Sequence, residues 1–170
     1  MSLEAHRKAG AAPIRCAVIT ISDTRDGSTD RGGPRIVELL ESAQHLVVRR
    51  AIVRDERAEI RAAVLAGVEA EDVDLLITTG GTGIASRDVT YPVLLELFDS
   101  EIPGFGELFR HLSYAEIGSA TILSRACAGL VRGKVVIALP GSPKAVDLAM
   151  QRIVLPEAGH LVTQSRPRPR

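Results

Sequence analysis

The sequence has no tryptophan and only two tyrosines and three phenylalanines among 170 residues, so its core must be aliphatic. Base-stacking nucleic-acid platforms need several exposed aromatics and are disfavoured on that count. Neither sign of charge is in excess: 21 Lys and Arg balance 21 Asp and Glu, which removes the global field that would steer a chain to nucleic acid or an anionic membrane. Any anion must be held locally. Long hydrophobic runs are missing too; the longest charge-free stretch, between Asp74 and Arg87, has twelve residues, short of the ~18 that a membrane-spanning helix needs. The N-terminus, Met1 to Pro13, carries Glu4, Arg7 and Lys8 with no apolar segment behind them, so it does not read as a secretory signal and a cytoplasmic location is expected. The two cysteines, Cys16 and Cys127, have no CxxC partner, which excludes a zinc cluster or a disulfide framework and predicts two buried free thiols.

What is present is a repeated alternation. The chain length fits one domain, 1–170, with an ordered core of about 14–163 and a mobile basic tail, RPRPR, at 166–170. Ile14 to Ile21, IRCAVITI, reads as a buried strand ending at Ser22 and Asp23. A polar stretch follows, then a helix over Pro34 to Ala43 with Ile36, Leu39 and Leu40 on one face. Leu46 to Val53 is a second strand, followed by Asp55 and a helical pattern through Ile60, Ala63, Val64 and Leu65. A third strand, Val73 to Thr79, empties into Gly80 to Gly83, and a later one, Lys134 to Leu139, into Pro140 to Lys144. Strands alternating with amphipathic helices predict an α/β fold, a three-layer sandwich with a mostly parallel central sheet and helices on both faces. In such sheets ligands bind outside the carboxyl ends of the strands, so Ser22/Asp23, Asp55, Gly80 to Asp88 and Pro140 to Lys144 are expected to line one crevice. The insertion from Pro103 to Gly133 is expected to form helices beside the site or at a subunit contact, with Phe105, Leu108, Phe109, Leu112 and Tyr114 as contact candidates.

Several nucleotide and hydrolase signatures fail. Gly129 to Lys134 has three residues between its glycines and Val135 where a P-loop needs Ser or Thr, so it reads as a turn entering a strand. GGTGIAS is not GxGxxG, and neither HExxH nor GxSxG occurs. What remains is TTGGTG at 78–83 followed by Arg87 and Asp88. Glycines allow close backbone approach and positive φ, so their N–H groups can form an anion nest, with Thr78, Thr79 and Thr82 as hydroxyl donors; a plain strand-to-helix turn would use the same residues. Asp55 and Asp88 either cap the helices that follow them or act together as hard oxygen ligands for Mg²⁺ beside a phosphate loop. Lys144 offers a point charge to a phosphate, and Ser142 either donates a hydrogen bond or caps its helix.

In order, TTGGTG, RDVT, PGFGELFR, LSYAEIG, LSRA and LPGSPKA resemble the MoaB/MogA family of molybdenum cofactor biosynthesis proteins, closest to the MoaB branch, over roughly Ile14 to Leu161. The resemblance implies a domain that binds molybdopterin and, in active members, a molybdopterin adenylyltransferase that transfers AMP from Mg-ATP to the pterin's terminal phosphate. It places the two functional aspartates on Asp55 and Asp88, which would also hold Mg²⁺. Gly80, Gly81, Thr82 and Gly83 fall on the nucleotide side, where Ser22 and Asp23 are grouped with them. Ser124, Pro140, Gly141, Ser142 and Lys144 fall on the pterin side. Tyr91 and Gly32 depart from the family's usual Pro and Ser. The resemblance also implies a homo-oligomer, a trimer or hexamer, with other proteins of that pathway as further partners. A non-catalytic molybdopterin carrier of the same pathway is the alternative, and a CinA-like nucleotide hydrolase a third reading.

Overall fold

A computed structural model describes residues 12–166; the stretch before residue 12 and the tail beyond Arg166 lie outside the described residues. Six strands form one sheet: β1 (Arg15–Ile21), β2 (Leu46–Val53), β3 (Leu75–Thr79), β4 (Ser100–Glu101), β5 (Cys127–Val131) and β6 (Lys134–Leu139), in the order β2-β1-β3-β6-β5-β4. The first four in that order are parallel, whereas β5 pairs antiparallel with β6 and β4 antiparallel with β5.

The strand alternation explains the layers. In β1, Cys16 and Val18 face one core while Ala17, Ile19 and Ile21 face the other; in β6, Val135, Ile137 and Leu139 alternate in the same way with Val136 and Ala138. The first core is closed by α1 (Gly32–Ser42), α4 (Pro103–Ile117), α5 (Pro143–Ala149) and α6 (Leu155–Ser165). The second is closed by α2 (Arg57–Glu69) and α3 (Thr90–Leu97) through Ile60, Val64, Val93 and Leu94. Helices therefore cover both faces, and none is long and apolar enough to cross a membrane among the described residues. Cys16 and Cys127 are free and buried, and burial pushes both thiols up to about 12, so neither is a nucleophile at neutral pH.

The insertion departs from the expectation of helices alone. After α4 and a 3-10 segment, Gly118–Leu123, the chain enters β5 and turns through Arg132 and Gly133 into β6. Both turn residues have positive φ, 51° and 74°, the geometry that matches the twist of a two-residue hairpin. Within α4, Phe105 and Phe109 are core residues, while Leu108 and Tyr114 of the candidate contact segment are exposed.

A half-buried ion pair ties the sheet's far end. Asp74, before β3, accepts from the Arg15 backbone N–H at 2.9 Å and from its guanidinium at 3.0 Å, with Arg166 adding a bond at 3.2 Å. The Arg15 guanidinium holds the Asp74 carboxyl down to about 2, against burial, which pushes it up. A carboxyl depressed by folding contributes stability that is complete above its ordinary value of 3.8 and is lost as pH falls toward about 2. Asp74→Ala is expected to lower stability at pH 7 by about 1 kcal/mol, since the arginines remain partly in water, and to flatten the loss of stability between about pH 4 and 2. Urea titrations at pH 7 and pH 3 check this; an unchanged gap between the two pH values would contradict it.

Candidate functional site

A pocket of about 1050 Å³ opens outside the carboxyl ends of β3 and β6. The loop after β3 supplies Gly80, Gly81, Thr82, Gly83 and Asp88 to it, and the loop after β6 supplies Pro140, Gly141, Ser142 and Lys144. The far wall comes from α4 and the 3-10 segment with Phe109, Ile117, Leu123 and Ser124, and from α5 with Asp147 and Leu148. Gln151 and Arg152 line it too, from a π-helical turn, Met150–Val154, that joins α5 to α6. The glycine-loop end is rich in backbone N–H and hydroxyl groups, and the far wall mixes apolar side chains with Ser113, Glu116, Asp147, Gln151 and Arg152.

The glycine loop is held by close approaches that only glycine permits. Gly80 has φ +107°, its N–H donates to Leu139 O at 3.0 Å, and a Cβ there would stand 2.1 Å from the Ile21 carbonyl oxygen. The two pocket loops touch: Thr79 Oγ1 donates to Pro140 O at 3.0 Å, and a Cβ on Gly141 would meet Gly80 Cα at 3.5 Å. Thr79 therefore serves the loop-to-loop contact, and Thr78 is wholly buried in the sheet, so of the three threonines expected as hydroxyl donors only Thr82 reaches the pocket. Gly32, in the first turn of α1, lies under the same contact, 3.2 Å from Thr79 Oγ1 and 3.5 Å from Gly141 O at its would-be Cβ.

Asp55 and Asp88 do not cap helices. The N-caps of α2 and α3 are Glu56 and Val89, neither with a side-chain cap bond. Both carboxylates turn instead to the glycine loop. Asp55 Oδ1 accepts from Val89 N–H at 3.2 Å, and a Cβ on Gly81 would lie 2.7 and 2.9 Å from the Asp55 oxygens. Asp88 Oδ2 accepts from Ala85 N–H at 3.0 Å, and a Cβ on Gly83 would lie 2.7 Å from it. Asp88 lines the pocket directly, whereas Asp55 sits behind Gly81 and outside the lining. Ser22 and Asp23 stand further back: the Ser22 hydroxyl accepts from Thr24 and Arg25 N–H at 3.3 and 3.2 Å to shape the turn after β1. Asp23 accepts from Asp55 N–H at 3.1 Å and pairs with Arg87. Of the four segments expected in one crevice, two line the pocket and two support it from behind. Ser142 caps α5, accepting from Ala145 N–H at 3.2 Å, with Pro143 in the first turn, and Lys144 follows exposed at the rim.

The electrostatics distinguish the carboxylates. Arg87 holds the Asp23 carboxyl below its usual range through a direct hydrogen bond. Burial pushes the Asp55 carboxyl up, and the charges of Asp88 and Asp23 add to that, while the Val89 N–H works against it. Ionisation of Asp55 therefore costs more in the folded protein than in water, a cost that a cation beside it would offset. Among the described residues no cluster of three or more His, Cys, Asp or Glu could hold a metal alone. The donor set does fit Mg²⁺ brought on phosphates: two hard carboxylates beside the loop, with Asp55 Oδ2 and Asp88 Oδ1 unengaged among the described residues and water free to complete the shell. Two arginines are part of this arrangement: Arg87, which the sequence sets beside Asp88 without indicating a role, pairs with Asp23, and Arg125 donates to the Gly83 and Asp88 carbonyls.

An α/β sheet with a glycine loop, adjacent carboxylates and a wide pocket beyond its strand ends is a small-molecule-binding domain by layout. Residues 17–160 match the model of a family described as "Probable molybdopterin binding domain", and the chain belongs to that family. It is 51% identical over 162 residues to the molybdenum cofactor biosynthesis protein B of Bacillus cereus, covering 95% of this chain and 96% of that one. A crystal structure of a molybdenum cofactor biosynthesis protein B superposes with a TM-score of 0.89 at 50% identity, covering 91% and 97% of the two chains. The structure described as tungsten cofactor synthesizing protein MoaB from Pyrococcus furiosus gives 0.82 at 38% identity, over 91% and 98%.

Proposed function

We propose that this protein acts in molybdenum cofactor biosynthesis as a molybdopterin adenylyltransferase, transferring AMP from Mg-ATP to the terminal phosphate of molybdopterin. The observation that carries the reading is the pair of carboxylates pressed against the glycine loop of a pocket of about 1050 Å³, Asp88 in its lining beside Gly83 and Asp55 behind Gly81. Two carboxylates beside a phosphate loop form a donor set suited to a magnesium-bound nucleotide, which favours transfer over pterin binding alone.

In this reading a molybdopterin phosphate oxygen attacks the α-phosphorus of ATP, the bond from that phosphorus to the bridging oxygen breaks, and pyrophosphate leaves with the electron pair. Both reactants are anions, so the protein aligns them and neutralises charge. The N–H groups of Gly81 to Gly83 face the nucleotide phosphates, with Ser22 and Asp23 shaping the support behind them. Ser124 and the Pro140–Lys144 loop serve the molybdopterin side, where the Lys144 ammonium offers its charge to a phosphate. Magnesium, held by Asp55 and Asp88, supplies charge neutralisation on the triphosphate when bound. The protein would work as a trimer or hexamer, with exposed apolar groups such as Leu108, Tyr114 and Ile122 available for subunit contact.

Calorimetric titration with Mg-ATP tests the nucleotide half of the reading. Wild-type protein is expected to bind saturably, and Asp88→Asn at least about tenfold more weakly. Equal affinity in the two proteins would contradict it.

A further inference from the structure

We propose that Arg125 is a positioning residue that sets the glycine loop for anion binding, with Tyr91 as its platform; the nucleotide part of this rests on the function proposed above. Arg125 lies between the 3-10 segment and β5, outside the pocket lining, yet one residue bonds three carbonyls of the loop. Its backbone N–H donates to Thr82 O at 3.0 Å, and its Nη2 donates to Gly83 O and, at 2.7 Å, to Asp88 O. The guanidinium lies over the Tyr91 ring, 5.2 Å from the centroid, which restricts its plane.

Peptide planarity turns these bonds into an orientation. In a trans peptide the carbonyl of one residue and the N–H of the next point opposite ways. Turning the Thr82 and Gly83 carbonyls toward Arg125 therefore turns the Gly83 and Ile84 N–H groups away from it, and neither has a hydrogen-bond partner among the described residues. The same guanidinium fixes the Asp88 carbonyl, at the other end of the loop from Gly83, so the spacing between the loop donors and the Asp88 carboxylate is set by one rigid group. Arg125 Nε is buried without a partner among the described residues. The guanidinium is located by its two carbonyls and the ring rather than by full satisfaction of its donors.

Two measurements on the folded protein test this: amide hydrogen exchange across 80–90 without ligand, and affinity for Mg-ATP and for molybdopterin separately. Arg125→Met is expected to accelerate exchange of the 82–88 amides and weaken Mg-ATP by about tenfold or more each, while β3 and β6 keep their protection and molybdopterin affinity moves by less than about twofold. Arg125→Lys recovers part of the loss because an ammonium reaches one carbonyl at a time. Tyr91→Leu falls between wild type and Arg125→Met, and Tyr91→Phe keeps the ring and the wild-type exchange; these variants carry the comparison if Arg125→Met does not fold. Unchanged loop exchange in Arg125→Met overturns the proposal. So does a loss of protection spread over the whole sheet with both ligands weakened alike. Wild-type protein that ignores Mg-ATP overturns the nucleotide reading alone, since loop exchange still accepts or rejects Arg125 as the strut.

Discussion

Asp88→Asn is expected to reduce AMP transfer to molybdopterin by about 10²–10³-fold, and Asp55→Asn to do the same, with neither protein less stable than wild type. The combination matters because loss of activity alone would also follow from unfolding. An asparagine at 88 keeps an oxygen able to accept the Ala85 N–H, so the loop bond survives and only the charge is removed. At 55 the sign is opposite to that of a stabilising carboxylate. Burial raises its pKa in the folded protein, so its ionised form at neutral pH weakens folding, and a neutral amide relieves that penalty. Asp55→Asn should therefore unfold at the same temperature as wild type or higher, the pattern of a site where function is kept at the expense of stability. Initial rates of pyrophosphate release, measured beside thermal unfolding, check both halves. Either variant with wild-type turnover would remove its carboxylate from the mechanism.

Gly80→Ala has the largest effect expected on stability. A φ of +107° lies beyond what an L side chain adopts comfortably, and the added Cβ would stand 2.1 Å from the Ile21 carbonyl oxygen, which is β1 backbone and cannot rotate away. Strain and overpacking together are expected to cost about 3 kcal/mol or more, a fall of roughly 10 °C in thermal midpoint for a domain of this size. Gly27→Ala, where a Cβ meets nothing within 4 Å, is the matched control. Calorimetric scans of the two proteins decide it: similar midpoints would mean that the loop yields at Gly80 and does not depend on this approach.

The parallel part of the sheet was legible because β1, β3 and β6 are short aliphatic runs buried on both faces, β2 is a β-branched run at the sheet edge, and each is followed by a loop with glycine or a carboxylate. The antiparallel edge was not. CAGLV is short, and the two-residue turn that joins it to β6 is Arg132–Gly133, whereas such turns are announced by Asn or Asp before Gly. Arg132 is held at positive φ by distant partners, its N–H on Asp99 Oδ2 at 2.5 Å and its guanidinium on Glu69. No local rule contains those contacts. The roles of Asp55 and Asp88 were open for a related reason. A carboxylate before a helix reads equally as a cap, and what turns both toward the loop is the lateral packing of Gly81 and Gly83 against them, visible only once three strand ends stand side by side. Arg125 carried no signal by itself, since an arginine ahead of a strand is ordinary until its two carbonyl partners are placed.

Transfer and storage in this pocket differ in their product. Purified protein should be given Mg-ATP and molybdopterin, with pyrophosphate followed by rate and the pterin product by mass. Pyrophosphate release that depends on molybdopterin, with a pterin heavier by one adenylate, is the predicted result. Tight molybdopterin binding with no adenylated product, under conditions where an active member of the family turns over, would contradict the claim and make the protein a carrier.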